Sequence, residues 1–191
     1  MPIPIRIVPA RHGDSRGWFT ESYNRARFAE LGVTDEFVQD NHSYSAARGT
    51  LRGMHLQGPP QVQAKLVRCL AGAIWDVAVD LRNGSPTFGH WVAAELTAAG
   101  GEQLYVPGGF AHGFLTLTEH AEVAYKASGY YAPECEIGIA WDDPDLAIAW
   151  PLDGPLNGIA PQLSGRDCAM PRLRDIVSPF AYDGIPMAQL D

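Results

Sequence analysis

The stretch Ala73-Ile-Trp-Asp-Val-Ala-Val-Asp-Leu-Arg82 decides the fold class, because its side chains alternate between apolar and polar. One face carries Trp75, Val77, Val79 and Leu81. Asp76 and Asp80 fall on the other face, where we expect them to face solvent or to form structural pairs. A period of two residues is typical of a β-strand, and the turn sequence at residues 83–86 ends it.

Nine further stretches have the length and composition of strands. They cover residues 17–22, 36–43, 50–57, 64–70, 89–96, 102–106, 113–116, 122–127 and 136–140. The chain also has 20 glycines, 15 prolines and 10% aromatic residues, which favours many short strands over long helices. The sequence therefore predicts an all-β fold of the sandwich, jelly-roll or small-barrel type.

Two short helices are predicted beside these strands. Residues 25–31 follow Asn24, a good N-cap, and precede Gly32, a good helix terminator. A second helix is predicted at residues 172–176. Because no repeat or linker interrupts the chain, we expect a single domain over residues 1–191, with an irregular C-terminal wrap from about residue 142.

The charge balance argues against several classes of partner. The formal net charge of −8 disfavours nucleic acid and anionic membrane surfaces, so any anionic ligand must be held by locally placed arginine and lysine.

The cysteines and the start of the sequence bear on the compartment. Cys69, Cys135 and Cys168 lie far apart, which argues against a disulfide framework. The sequence starts without a signal-like apolar run and has no apolar stretch of membrane-spanning length, so we expect a cytoplasmic protein.

Four basic side chains fall in neighbouring predicted strands, namely Arg52, His55, Lys65 and His112. Burying them in a fold that encloses a cavity is costly without an anionic partner, so they predict a binding site. Strict alternation places Arg52 and His55 on opposite faces of their strand. Both can enter one pocket only if the strand bulges or twists near Gly53.

Several types of catalysis are disfavoured by what the sequence lacks. Metal-binding double-stranded β-helices usually have a second histidine two residues after the first, but here that residue is Gln57. The remaining histidines are predicted to lie at the surface: His12, His42, His90 and His120. There is no GxSxG elbow, GxGxxG motif or Walker loop. What remains is acid–base chemistry on a small molecule whose charge is neutralised by arginine.

An ordered series of motifs narrows this chemistry. The motifs are Asp14-Ser-Arg-Gly-Trp-Phe-Thr-Glu21, Gln39-Asp-Asn-His-Ser43, Gly49-Thr-Leu-Arg-Gly-Met-His-Leu-Gln57, Gln63-Ala-Lys-Leu-Val67, Asp76-Val-Ala-Val-Asp-Leu-Arg82, Gly108-Gly-Phe-Ala-His-Gly-Phe114, Tyr125, Tyr130-Tyr-Ala-Pro-Glu134, Asp142-Asp-Pro144, Trp150-Pro151 and Ser164-Gly-Arg-Asp167. In these motifs the sequence resembles the dTDP-4-dehydrorhamnose 3,5-epimerase family. The resemblance implies a cupin-like jelly roll that inverts C3 and C5 of dTDP-4-dehydro-6-deoxy-D-glucose to give dTDP-4-dehydro-L-rhamnose, with no cofactor and no metal.

The resemblance also implies a role for each site residue. The catalytic residues would be His55 as the base next to the C4 ketone, Asp167 as its partner, Tyr125 as the acid on the opposite face, and Lys65 at the enolate oxygen. The substrate would be bound by Arg16 and Arg52 at the pyrophosphate, by Glu21, Gln39 and Asn41 near the nucleotide, and by His112, Tyr131 and Glu136 around the sugar. Because sheet-rich folds have to cover their edges, the apolar residues 3–8 are also a candidate strand for pairing across subunits. The resemblance likewise implies a homodimer, in which the partner subunit would contribute to the nucleotide pocket.

Other interpretations stay open at this point. Asp167 could instead pair with Arg166 or cap the following turn, and Tyr125 could be an ordinary core aromatic. The protein could invert only C3 or only C5, bind a sugar without turnover, or act as a metal-dependent cupin isomerase or oxygenase. The non-catalytic alternative would follow if His55 and Tyr125 did not face each other.

Overall fold

The computed structural model describes residues 2–154 and 156–190, and twelve β-strands and one α-helix lie within those ranges. In chain order the elements are β1 (Ile5–Ile7), β2 (Arg11–Asp14), β3 (Gly17–Thr20), α1 (Arg25–Glu30), β4 (Gln39–Ser45), β5 (Leu51–Gln57), β6 (Lys65–Ala71), β7 (Ala73–Asp80), β8 (Trp91–Thr97), β9 (Gln103–Val106), β10 (Phe110–Thr116), β11 (Ala121–Ala127) and β12 (Glu136–Gly138). Each of the ten stretches predicted as strands overlaps an observed strand, which confirms the all-β prediction.

Two five-stranded antiparallel sheets form the body of the fold. The first has the strand order β1-β9-β6-β11-β4, and the second has the order β12-β5-β10-β7-β8. Apolar side chains from both sheets meet between them and form the largest hydrophobic cluster. This packing of two antiparallel sheets around one core is that of a jelly roll.

The N-terminal strands differ in part from the expectation. Residues 3–8 do contain a strand, β1. One edge of this strand pairs with β9 of its own chain, so that edge is not available to a second subunit. Because β1 is the outermost strand of the first sheet, its second edge stays open. The strand β2 was not predicted, because its polar sequence has no apolar alternation; it forms a hairpin with β3.

The helical predictions are confirmed in their positions. The side chain of Asn24 accepts hydrogen bonds from the backbone N–H groups of Ala26 and Arg27, and Gly32 follows the helix with a φ of +92°. Phe28 anchors α1 against the outer face of the first sheet. The predicted closing helix is a single 3-10 turn, Leu173–Asp175. Within the described ranges, no helix is long and apolar enough to cross a membrane.

Strand β7 is covered on both faces. Its apolar face contacts a second cluster on the outer side of the second sheet, where residues of the C-terminal wrap such as Leu146 and Phe180 pack. Its other face points between the sheets, so Asp76 and Asp80 are both fully buried. The expectation that these two carboxylates face solvent is wrong, whereas structural pairing is confirmed: Asp76 pairs with His112 and Asp80 with a neighbouring arginine.

A bulge in β5 brings two cavity residues to the same side. Across β5 and β10, His55 pairs with His112 and Arg52 pairs with Phe114, so three steps along β5 oppose two steps along β10. At this point Gly53 has a φ of +121°. The bulge expected near Gly53 is therefore present, and Arg52 and His55 line the same cavity.

Replacing Gly53 with alanine should destabilise the protein. The added Cβ would lie 2.5 Å from the Cα of Gly113 and 2.8 Å from the carbonyl oxygen of His112, and the positive φ disfavours any residue with a Cβ. We expect the free energy of unfolding in urea to fall by about 2 kcal/mol or more. Gly154→Ala, whose Cβ would meet no atom within 4 Å, is the control and should stay within about 0.5 kcal/mol of the parent.

Candidate active site

A cavity of about 290 Å³ opens between the two sheets at the bulge. Its walls are formed by Ser43, Arg52, His55, Lys65, His112, Phe114, Tyr125, Ser164, Arg166 and Asp167. Six of the predicted site residues are in this set. The cavity therefore combines bases, acids and fixed cations in one partly enclosed space, although the chain as a whole is acidic.

His55 and Asp167 form a close pair at one side of this cavity. Nε2 of His55 lies 2.6 Å from Oδ1 of Asp167 and donates to it, which leaves Nδ1 as the nitrogen able to accept a proton. Asp167 begins a short 3-10 turn whose backbone N–H donates to the hydroxyl of Ser164. The alternative in which Asp167 pairs with Arg166 or caps the turn is wrong, because the carboxylate of Asp167 bonds the histidine and Arg166 pairs with Glu136 instead.

The surroundings of His55 favour its neutral form. Burial lowers the pKa of His55, because a charged ring is poorly solvated there, and the ammonium of Lys65 lowers it further. The carboxylates of Asp167 and Glu136 act in the opposite direction. With its pKa below 6.5, the ring is largely unprotonated at neutral pH and able to accept a proton, while Asp167 stabilises the charged ring that then forms.

Lys65 and Tyr125 reach the cavity from the first sheet, opposite the strand that carries His55. The ammonium of Lys65 donates to the backbone carbonyl of His55 at 3.3 Å. Burial raises the pKa of Tyr125, so its hydroxyl stays protonated at neutral pH, although the charge of Arg52 partly opposes this. Among the described residues the hydroxyl has no hydrogen-bond partner, so it is free to donate into the cavity.

Glu136, Arg166 and Tyr131 form a hydrogen-bonded group at the rim. Arg166 pairs with Oε1 of Glu136, the same oxygen that lies 3.9 Å from Nε2 of His55. The hydroxyl of Tyr131 donates to the other oxygen of Glu136 at 3.3 Å. Arg166 was not predicted as a site residue, because a single arginine in an irregular segment shows no pattern; its neighbour Asp167 was the only signal.

Of the remaining predicted residues, Arg52 lines the cavity, whereas Gln39 and Asn41 lie beside it on β4. The guanidinium of Arg52 donates to the hydroxyl of Ser45 and to the carbonyl of Tyr44, which holds it at the entrance. Gln39 and Asn41 follow on the same side of β4, and the amide of Gln39 donates to the side chain of Asn41 at 2.9 Å. In the register of β4 and β11, Asn41 lies directly opposite Tyr125, the predicted acid.

Arg16 and Glu21 lie away from the cavity within a single chain. Arg16 sits at the tip of the β2–β3 hairpin, 87% exposed in its side chain and paired with Asp14. Glu21 pairs with Arg27 of α1 at 3.1 Å on the same surface. One chain therefore does not bring these two residues to the other predicted site residues.

The other histidines follow their predicted positions. His12, His42, His90 and His120 are all exposed. Among residues 2–154 and 156–190, no group of three or more His, Cys, Asp or Glu side chains is arranged to hold a metal ion. The three cysteines are free thiols.

Comparison with known proteins identifies the family. The family model of dTDP-4-dehydrorhamnose 3,5-epimerase matches residues 3–175. The chain belongs to this family. The dTDP-4-dehydrorhamnose 3,5-epimerase of Pseudomonas aeruginosa is 54% identical over 158 residues, which cover 82% of this chain and 86% of that protein.

Two solved structures share this architecture over most of the chain. The dTDP-6-deoxy-D-glucose-3,5-epimerase of Legionella pneumophila, in complex with dTDP-4-keto-L-rhamnose, has a TM-score of 0.87 at 48% identity, covering 94% of this chain and 93% of that chain. A 3′-monoepimerase of Streptomyces bikiniensis, in complex with dTDP-quinovose, has a TM-score of 0.80 at 38% identity, covering 90% and 84%. The predicted family and its cupin-like jelly roll are confirmed.

Asp167→Asn should lower the pH at which His55 titrates. The substitution removes the negative charge that raises the pKa of His55 and leaves burial and the charge of Lys65, which both lower it. NMR titration of the histidine rings measures this directly, with the His55 signal assigned by its loss in His55→Asn. Asp142→Asn, which removes a surface partner of Arg172, is the control. An upward movement of the His55 midpoint would contradict the arrangement.

Proposed function

We propose that this protein is an epimerase that converts dTDP-4-dehydro-6-deoxy-D-glucose into dTDP-4-dehydro-L-rhamnose by inverting C3 and C5. The observation that carries the proposal is that the His55–Asp167 pair and the hydroxyl of Tyr125 line one cavity from opposite sheets. Membership of the epimerase family and the sugar nucleotide bound by the Legionella relative support the substrate.

Deprotonation is assigned to His55. Nδ1 removes the proton from the carbon next to the C4 ketone, and the electron pair of the broken C–H bond moves to the C4 oxygen to form an enolate. Lys65 stabilises this oxygen as a fixed cation, because its ammonium lies in the same cavity. The reaction exchanges only protons, since the ketone of the substrate already stabilises the carbanion.

Reprotonation is assigned to Tyr125. Inversion requires that the proton returns to the opposite face of the carbon, so the acid has to stand across the cavity from the base. The tyrosine hydroxyl supplies this proton and is recharged from solvent, while His55 releases the proton it took. The same pair then acts at the second carbon next to the ketone.

Substrate binding is assigned to residues of the cavity, its rim and the neighbouring part of β4. In this proposal Arg52 binds the pyrophosphate, and Gln39 and Asn41 bind the nucleotide. Glu136, together with His112 and Tyr131, surrounds the sugar. This division matches charge to chemistry, because arginine binds phosphate oxygens in a planar, bidentate manner.

The alternative function is inversion of a single carbon. It is supported by the fold of a 3′-monoepimerase, which is 38% identical to this chain. Incubation of the protein with dTDP-4-dehydro-6-deoxy-D-glucose in heavy water separates the two functions. Deuterium at both C3 and C5, with both centres inverted, is expected. Deuterium at one carbon only would establish a monoepimerase, and none at either would refute the epimerase.

His55→Asn should lose on the order of 100- to 10,000-fold of the exchange at both carbons, because one base serves both deprotonations.

Tyr125→Phe should separate exchange from inversion. The variant keeps the base and Lys65 but has no proton donor on the opposite face, so the enolate is reprotonated from the original face or by water. NMR of the recovered sugar nucleotide should show deuterated but uninverted substrate. Tyr130→Phe, which changes an exposed tyrosine, is the control. Equal loss of exchange and inversion would return Tyr125 to a binding role.

We further propose that the protein is a homodimer in which the β2–β3 hairpin of one subunit completes the nucleotide pocket of the other. The hairpin exposes Trp18 by 59% and Phe19 by 70%, an unusual exposure for large aromatic side chains. It also carries Arg16, which is exposed at the tip of the hairpin and is not among the residues that line the cavity of its own chain. The localisation in the cytoplasm stays a prediction from the sequence.

Mixing two inactive variants tests this dimer. Light scattering should give twice the chain mass of 20.7 kDa. If Arg16 acts across the interface, a mixture of refolded Arg16→Gln and His55→Asn chains contains mixed dimers with one intact site, so activity should return to about a quarter of the parent. If Arg16 acts within its own chain, or if the protein is monomeric, mixing should restore nothing.

A further inference from the structure

Asp76 and Asp80 are two fully buried carboxylates on the same face of β7, but their partners differ. Asp80 accepts hydrogen bonds from the guanidinium of Arg82 at 2.7 and 2.9 Å and from the hydroxyl of Ser85 at 2.7 Å. Asp76 accepts one hydrogen bond, from Nε2 of His112 at 2.7 Å. Its Oδ2 atom is buried and has no hydrogen-bond partner among the residues that the structure describes.

Asp76 stands behind two cavity residues. His112, to which it is bonded, lines the cavity, and so does Lys65, whose pKa the charge of the Asp76 carboxylate raises. A buried carboxylate with an unbonded oxygen is unfavourable unless positive charge lies close to it. Asp80 shows that a buried carboxylate on β7 can have hydrogen-bond partners for both of its oxygens. The unbonded oxygen of Asp76 therefore indicates that this carboxylate serves His112 and Lys65 at the cavity.

We propose that Asp76 is a positioning residue that orients His112 and supplies a buried negative charge to the side of the cavity where Lys65 faces the C4 oxygen of the substrate. This inference rests on the proposed epimerisation, because an enolate oxygen is the anion that needs a fixed cation at this place. Asp76 does not line the cavity and acts only through its two neighbours.

The charge of Lys65 depends on a small number of groups. Burial lowers its pKa to about 8, and the carboxylates of Glu136 and Asp76 oppose this decrease. The other titratable or charged groups of the cavity are Arg52 and His55 on β5, His112 on β10, Tyr125 on β11, and Arg166 and Asp167 of the C-terminal wrap. A lysine with this pKa is mostly charged at neutral pH, but the loss of one attracting carboxylate brings its titration closer to neutrality.

The chain contains only two lysines, Lys65 and Lys126, so the charge of Lys65 can be measured directly. Protein labelled with ¹³C at the lysine Cε gives two titrating NMR signals, and Lys126→Arg assigns them. Lys126 pairs with Asp40 on the surface at 2.9 Å and serves as the internal reference. In Asp76→Asn, the midpoint of the Lys65 titration should move to lower pH while that of Lys126 stays.

Asp80→Asn is the matched control, because it removes an equally buried carboxylate from the same face of the same strand. It should leave the Lys65 midpoint unchanged even if it destabilises the fold. Asp76→Ser is measured beside Asp76→Asn, because its smaller side chain can still accept from His112, and it should show the same shift. An unchanged midpoint in either folded Asp76 variant, or an equal shift in Asp80→Asn, would overturn the proposal.

The reaction gives a second readout. In Asp76→Asn, kcat at pH 8 should be on the order of tenfold lower than kcat of the same variant at pH 6.5. The reason is that Lys65 then loses its charge within this pH range. The titration needs no substrate, so the two proposals can fail separately. A Lys65 shift without epimerisation would refute the proposed function alone, and epimerisation without the shift would refute the role of Asp76 alone.

Discussion

The contact between Gly53 and Gly113 lets β5 and β10 approach each other so closely that a side chain on either would collide with the other strand. A Cβ on Gly113 would lie 2.8 Å from the backbone oxygen of Arg52, and one on Gly53 would lie 2.5 Å from the Cα of Gly113. The bulge at this contact turns Arg52 and His55 to the same side. Without it, the strand could direct either the base or the arginine into the cavity, but not both.

The second constraint is electrostatic. Three carboxylates surround the cavity, Asp76 between the sheets, Asp167 in the C-terminal wrap and Glu136 at the rim, and each lies next to a histidine or arginine side chain. Such pairs are unfavourable to bury unless their geometry is maintained by hydrogen bonds on both sides. The surrounding sheets provide that geometry, and it allows a chain with a net charge of −8 to present cations to a negatively charged ligand.

Patterns with a period of two predicted the sheet, but they gave no information about what covers each face. The alternation around β7 placed Asp76 correctly opposite the apolar face, yet solvent was the wrong environment for it, because both faces of the strand are buried. The need for a bulge at Gly53 followed from local geometry alone. The pairing of Asp167 with His55 could not follow from any local pattern and came from the family resemblance; Arg166, one residue earlier, was missed for the same reason.

Later parts of the chain hydrogen-bond to β5: at its first residue, the backbone N–H of Leu51 donates to the carbonyl of Gln162 in the C-terminal wrap, and at its centre Met54 exchanges hydrogen bonds with Ile139, just after β12. His55 and Asp167 are separated by 112 residues in the chain. A nascent chain therefore leaves the ribosome with the histidine, the bulge and most of both sheets long before the aspartate is made. Chains that end early can form much of the jelly roll, but they will have a histidine with no carboxylate beside it, so full activity has to wait until the last part of the wrap has been synthesised.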